Sequence, residues 1–448
     1  MSWQKRLMSA VKELDRNRCK ANPMFDSEGP AVILGDGRSI FPCELAAIWR
    51  NHGRRVILVT DRPPSTQIKG VSVVDSRRFR RRCTRWMRVA NPILRCIERA
   101  LPRLYIRRYQ KRTGRMQPES WEWYWVDHFW DSFSRARAVL AQRPSFVFGN
   151  EATGYGLATA LCRGVPRILM PWGGDIYNAV ECSPVVAAMT TYALKHVDLV
   201  MPGSAAAAEY IPERFGVPAA QVVSVSWGAD LDLFRSATPS ERHNFCVNHG
   251  IPDTAQIVFN SRRFNPLWGS NEALTACMQV CSENDSPYFV FLGGAGSEEH
   301  VAQARIRVKA TGMQDRFVFL DGHISLTECA RAMGVADIFL SFLQRGDMRS
   351  WSVIQATAAG GIPIVADIPE HRHMQREGFA AKLFDASEPS ECAAAILYFL
   401  GNPERMKSMR NQNKEFISTH EDSRKQMSEM LNLIDSIRDR YTDKHLAR

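Results

Sequence analysis

The sequence predicts an α/β protein made of two successive domains, each built on its own parallel sheet. Three observations carry that expectation. At 448 residues the chain is too long for one core and suits two domains of about 200 residues each. Short apolar runs alternate with helical patterns almost throughout, as they do where helices cover a parallel sheet. The alternation then restarts after residue 235. Ligands in such sheets sit at the C-terminal ends of the strands, so a substrate cleft between the domains is the expected site.

The elements follow in order. AVILG (31–35) reads as a strand, then comes a helix ending at His52-Gly53, then the strand RRVILVTD. FVFG (146–149), PRILMPWG (166–173), VDLVMPG (197–203) and VVSVSWG (222–228) read as further strands, separated by helices through Leu161, near 183–194 and near 205–210. In the second half, strands are expected at QIVFNSRR, YFVFLGG, RFVFLDG, DIFLSF and IPIVAD. Helices are expected over NEALTACMQVCSE, up to about 310, at 326–334, at 351–359 and near 389–399. The boundary falls near 229–240, where ADLDLFRSATPS is mostly polar. This gives a first domain over 1–228 with a basic and aromatic insertion at about 77–130, a second over 229–412, and a helical tail over 413–448 expected to pack across both.

Composition narrows the class. The chain is 45% hydrophobic and 23% charged, as globular proteins are, and no apolar run approaches the roughly 20 residues needed to span a bilayer. The N-terminus lacks the apolar core of a signal peptide. Eleven cysteines are scattered with no CxxC pair, which fits reduced thiols in a cytoplasm and gives no structural metal site. The net charge of +11 is concentrated: residues 77–115 hold fifteen Arg or Lys against Glu98 alone, so the remainder is slightly acidic.

A set of ordered landmarks then resembles the GT4 glycosyltransferases, retaining enzymes of the GT-B fold. SWGADLDLF resembles the family's Gly-x-Asp-x-x-x-F junction and SRRFNPLWGSNEAL its phosphate-clamp turn. FLGGAG resembles its glycine-rich strand end, and RFVFLDGHIS its base-proximal loop. QRGDMRSWSVIQATAAGGIPIVAD (344–367) resembles the motif of two glutamates eight apart followed by a small-residue run. The first half fits more loosely, through GDGRSIFPCELAAIWRNHGRRVILVTD and VPRILMPWGGDI. The resemblance implies two Rossmann-like domains facing each other across a cleft, and transfer of a sugar from a nucleotide-sugar donor. It implies no metal and no cofactor beyond the donor itself.

Residue by residue, the resemblance places the diphosphate on Arg263, with Arg262 beside it, and on Gly294 at a strand end whose following helix N-terminus favours anions. The family's lysine is replaced by Trp268. Gly322 matches the base-proximal loop. Asp347 takes the first acidic position, beside the donor sugar, followed by Met348, Arg349 and Ser350; Gln355 takes the second, where ribose hydroxyls are normally accepted on a carboxylate. The amide still accepts and donates but carries no charge. On the other reading Asp347 caps the helix and Gln355 is a bystander. In the first domain Gly35 and Gly37 match the loop near the phosphate. The family's donor-contacting histidine is missing, with Asn150 and Glu151 in its place. Asp175 after Trp172-Gly173-Gly174, and Glu151, are the catalytic candidates there; otherwise each is an ordinary loop or cap residue.

The basic segment 77–115 interleaves arginines with Ile93, Leu94, Ile97, Leu101 and Trp86. That composition suits a shallow site on an anionic membrane, which agrees with a glycan or lipid-linked acceptor and a cytoplasmic, peripheral location. A solvated charged face is the plain alternative; nucleic acid would also want the charge, but no recognisable module accompanies it. WEWYWVDHFW (121–130) lines an acceptor groove or buries a helix. The leading expectation is a retaining transferase of envelope or exopolysaccharide synthesis. A catalytically weakened scaffold of the same fold is the rival, and a nucleotide-sugar epimerase a more distant one.

Overall fold

The computed structural model describes residues 25–65, 67–79, 120–182, 184–262, 264, 268–293, 298–322, 324–343 and 350–446. The chain divides into two compact units. The first comprises Met1–Gly203, Ala207–Ser224 and Leu431–Arg448; the second comprises Ser204–Ala206 and Val225–Met430. Each holds one six-stranded, fully parallel sheet.

In the first unit the strands are β1 (Ala31–Leu34), β2 (Val56–Thr60), β3 (Ser72–Asp75), β4 (Phe146–Asn150), β5 (Arg167–Met170) and β6 (Leu199–Val200), in the order β3-β2-β1-β4-β5-β6. In the second they are β7 (Ile257–Asn260), β8 (Tyr288–Leu292), β9 (Phe317–Leu320), β10 (Ile338–Ser341), β11 (Ile362–Ala366) and β12 (Lys382–Phe384), in the order β12-β11-β10-β7-β8-β9. Counted from its own first strand, each sheet reads 3-2-1-4-5-6, the doubly wound order, with strand order reversing between β1 and β4 and between β7 and β10.

Central strands are buried along their whole length, β1 as Ala-Val-Ile-Leu and β7 as Ile-Val-Phe-Asn, because helices cover both faces. In the second unit one face packs Val258, Phe289, Phe291, Ile338 and Ile364 under the helices Ser270–Glu283 and Pro389–Leu400; the other packs Ile257, Phe259, Phe339 and Val365. Two helix starts are fixed by capping boxes, Thr238 with Glu241 and Ser325 with Glu328.

Two edge strands, β3 and β12, are not legible in the sequence, since an edge position demands no continuous apolar run. The strand expected over 222–228 does not form. Val222 makes a single bridge to Val200, and the segment beyond it is drawn to the break between the helices Pro403–His420 and Ser423–Leu446. There Ala229 N donates to Glu421 O at 2.7 Å and Ser226 Oγ donates to the Glu421 carboxylate at 2.5 Å. The C-terminal segment is helical, with residues to Met430 in the second unit and those from Leu431 in the first.

The basic segment lies outside the described residues apart from 77–79, where Arg77 pairs with Asp75 at 2.7 Å. The aromatic run falls in the helix Ser120–Leu140; its Phe129 is buried edge-on against Phe133, 5.6 Å between ring centres. No helix of the described residues is long and apolar enough to cross a membrane.

Candidate functional site

Both strand-order reversals carry polar clusters at the C-terminal ends of their strands. In the first unit β4 ends on Asn150, and Glu151 follows with φ at 88°, a left-handed conformation that a branched-chain or long side chain adopts only under constraint. Several bonds impose it. Glu151 N donates to Met170 O at 2.8 Å, extending the β4–β5 pairing, and Thr153 Oγ1 donates to Glu151 Oε1 at 2.5 Å. The Glu151 carboxylate thus closes over its own turn.

Asp175 cross-links two loops. Its Oδ2 accepts Ala152 N at 2.6 Å and its Oδ1 accepts Trp172 N at 2.8 Å, joining the loop after β4 to the loop after β5. Trp172 Nε1 donates to Asn150 Oδ1 at 2.5 Å, and the Trp172 ring lies 4.3 Å from that of Phe41. Gly173, at φ 87°, turns the chain into a short π-helix, Gly174–Asn178. Asp175 therefore orients the loop on which Glu151 stands. Burial, and then the Asp175 carboxylate, push the Glu151 carboxyl up to about 7. Burial pushes Asp175 up to about 6, against the opposing pull of the backbone N–H groups that it accepts.

Beneath the turn lies a network that no local pattern in the sequence announces. Arg135, wholly buried, donates Nη1 to Gly154 O at 2.7 Å and Nη2 to Asp61 Oδ2 at 2.9 Å. Tyr155 OH donates to Asp61 Oδ1 at 2.9 Å, and the guanidinium lies 4.6 Å from the Tyr155 ring centre. These groups come from three separate elements and fix the Gly154 end of the turn.

Gly35 and Gly37 lie in the loop after β1. A side chain at Gly37 would meet Arg62 O at 2.5 Å, and Gly37 N donates to Thr60 Oγ1 at 3.0 Å, so the close approach of the β2 loop accounts for this glycine. Asp36 in the same loop pairs with Arg62 at 3.1 Å.

In the second unit the reversal lies between β7 and β10. Asn260 Oδ1 accepts Arg262 N at 2.9 Å, and Arg262 Nη2 donates to Ser350 Oγ at 3.0 Å. Ser350 is the N-cap residue of the helix Trp351–Ala358, which carries Gln355 on its buried side. Trp351 anchors that helix, donating Nε1 to Gly228 O at 2.6 Å and standing edge-on to Trp227. Four buried polar atoms gather at this end of the sheet or on that helix: Asn260 Nδ2, Ser261 Oγ, Ser341 Oγ and Gln355 Nε2. None of them has a hydrogen-bond partner among the described residues. Buried polar groups are ordinarily paired, so this sheet end is polar where the rest of the strands are apolar.

The structure thus brings Ser350, Gln355 and Arg262 together in one unit and Glu151 and Asp175 together in the other. Gly322, at φ 76°, stands in the loop after β9, the edge strand, away from the reversal point of its sheet. Arg263, Gly294, Asp347, Met348 and Arg349 lie outside the described residues. Among the described residues no group of three or more His, Cys, Asp or Glu side chains is placed to hold a metal ion.

Comparison with known proteins agrees with this layout. Residues 242–416 match the family of glycosyl transferases group 1. D-inositol 3-phosphate glycosyltransferase 1 of Catenulispora acidiphila is 23% identical over 270 residues, a match spanning 57% of this chain and 63% of that protein. The Anabaena HepE protein in complex with UDP and glucose superposes with a TM-score of 0.67 at 14% identity, over 91% of this chain and 100% of that one. Sucrose-phosphate synthase of Thermosynechococcus elongatus gives 0.68 at 14% identity, over 91% and 99%. Two Rossmann-like units with parallel sheets thus have the GT-B fold of these structures, and the group 1 likeness lies in the second of them.

Proposed function

We propose that this protein is a retaining glycosyltransferase that moves a sugar from a nucleotide-sugar donor to a glycan or lipid-linked acceptor in envelope or exopolysaccharide synthesis. The observation that carries the reading is the set of buried polar atoms without a partner among the described residues at the reversal point of the second sheet, within the region matched to group 1 glycosyl transferases. Nucleoside diphosphates meet such sheets at this point. On this reading Gln355 faces the ribose, Arg263 and Arg262 face the diphosphate, and Asp347 lies beside the sugar. Glu151 occupies the place of the family's histidine, and Asp175 orients it. The acceptor and a peripheral position on the cytoplasmic face of a membrane rest on the basic segment 77–115.

A scaffold of the same fold with weakened transfer is the second reading, favoured by Trp268 where a lysine is expected. Titration of the purified chain with UDP-, GDP-, ADP- and dTDP-sugars, alongside Arg263→Ala, separates the two. Saturable binding of one donor, weakened by the substitution, supports the enzyme. Absence of binding at millimolar concentration removes the donor site and leaves the scaffold.

A further inference from the structure

The helix Trp351–Ala358 is eight residues long, too short to hold its place by its own hydrogen bonds. Two other helices of this unit start on capping boxes, Thr238 with Glu241 and Ser325 with Glu328. This one does not. Ser350 is its N-cap residue but makes no capping bond, and its Oγ accepts Arg262 Nη2 instead. What fixes the start of this helix therefore comes from outside it.

That fixing begins at Trp351. Its Nε1 donates to Gly228 O at 2.6 Å, and its ring stands edge-on to Trp227 with 5.5 Å between ring centres. Gly228 is locked in turn. It sits at φ 63°, and a side chain there would lie 2.5 Å from Glu421 O, so only glycine lets the segment come this close. On either side of it, Ser226 Oγ donates to the wholly buried Glu421 carboxylate at 2.5 Å and Ala229 N donates to Glu421 O at 2.7 Å. The other end of the helix is held from the same two parts of the chain. Ser236 Oγ donates to Ala359 O at 2.9 Å, and Arg410 Nε donates to Gly360 O at 2.8 Å. Segments 226–236 and 410–421 thus grip the helix at both ends. A shift of about 1 Å at Trp351 would be carried to Gln355, one turn further along the same face, and is enough to take a hydrogen bond out of its range.

Resting on the donor-binding reading above, we infer that Trp351 is a positioning residue for the donor nucleotide. Through Gly228 and Glu421 it sets where Ser350 and Gln355 stand when the nucleotide binds. The indole acts on the helix, and the helix presents the groups that meet the ligand.

Calorimetric titration of the full chain with UDP, GDP, ADP and dTDP, beside urea unfolding of the same preparations, tests this. The wild-type chain is expected to bind at least one of the four saturably. Trp351→Phe keeps a ring against Trp227 and loses the N–H, and its affinity should fall about three- to tenfold. Thr238→Ala, which removes a capping box elsewhere in the same unit, should cost stability of a similar order and leave affinity within about twofold. Gln355→Ala should lose affinity in the wild-type background and much less beside Trp351→Phe, because a displaced helix has already lost that contact. A merely structural role for Trp351 gives a different pattern: affinity unchanged in Trp351→Phe, or lowered equally by Thr238→Ala, or losses at 351 and 355 that simply add. Any of these overturns the inference. If Trp351→Phe does not fold, Ser226→Ala, which removes the hydroxyl shared by Gly228 N and the Glu421 carboxylate, is expected to lose about two- to threefold, and wild-type affinity there overturns the inference equally. A wild-type chain that binds none of the four overturns the donor-binding reading itself, an outcome seen in the unmutated protein and so distinct from the others.

Discussion

Asp175 accepts the backbone N–H of Ala152 at 2.6 Å, so the residue next to Glu151 is held from a loop more than twenty positions further along the chain. The same carboxylate accepts Trp172 N, and it is almost wholly buried. Removing it leaves two N–H groups without acceptors in a place water does not easily reach. Asp175→Ala is expected to destabilise the protein by about 2–4 kcal/mol, from the usual cost of an unsatisfied buried group taken twice. Urea unfolding measures this; a loss below about 1 kcal/mol would mean that the two loops hold without it.

Glu151 sits at φ 88°, where glycine is comfortable and glutamate is not. Glu151→Gly should therefore cost little stability or raise it by about 1 kcal/mol, since relief of backbone strain opposes the added freedom of the unfolded chain. Sugar transfer is expected to fall at the same time. A variant both more stable and inactive would mark Glu151 as a residue kept for chemistry; one that is less stable by several kcal/mol would mark it as structural.

The Glu151 carboxyl is pushed up to about 7 from an ordinary value near 4.5 by burial and by Asp175. Its folded value is thus above its unfolded one, so the unfolded chain loses this proton first. The stabilisation is full below about pH 4.5, declines as pH rises towards 7, and is gone above that. Glu151→Gln removes the titration. Wild-type stability relative to this variant should fall by on the order of 2 kcal/mol between pH 5 and pH 8, read by urea unfolding across that range. A difference independent of pH would show that the carboxyl titrates normally.

Gln355 is buried with its amide Nε2 unpaired among the described residues. If a ribose lies against it, Gln355→Glu restores a charged acceptor for the two hydroxyls. Affinity for the preferred nucleoside diphosphate should then rise by about three- to tenfold, the difference between a neutral and a charge-assisted bond. The same change should cost stability in the absence of nucleotide, because it buries a carboxylate. Calorimetry on the variant decides: unchanged or weaker affinity places the ribose elsewhere.

On the proposed donor reading, arginine neutralises the diphosphate without a metal. Turnover with the preferred donor is expected to be the same in EDTA as in magnesium or manganese. Loss in EDTA with recovery on adding back either ion would require a metal bridge to the diphosphate.

The two sheets were legible in the sequence because buried parallel strands must be apolar on both faces. Runs such as AVIL, FVFG and IPIVA carry that requirement in their own composition, and most of the helices between them declare themselves by period. Strand order, and with it the two reversal points, followed only from pairing. Strands β3 and β12 escaped because edge positions need little hydrophobicity, and 222–228 misled because its apolar pattern is spent on Val200 and on the turn at Glu421.

At the site, the resemblance to the GT4 enzymes pointed to Glu151, Asp175, Ser350 and Gln355 as candidates, but not to the contacts that hold each of them. The carboxyl of Glu151 is raised by burial and then by Asp175, the turn it stands on depends on Arg135, Asp61 and Tyr155, and Arg262 is bonded to Ser350. A proton affinity or the aim of a guanidinium is set by whatever charge, ring or N–H lies within a few ångströms. For most of these groups that neighbour comes from a distant part of the chain. Local pattern therefore determined the layers of this protein, and tertiary contact alone decided the chemistry at their edges.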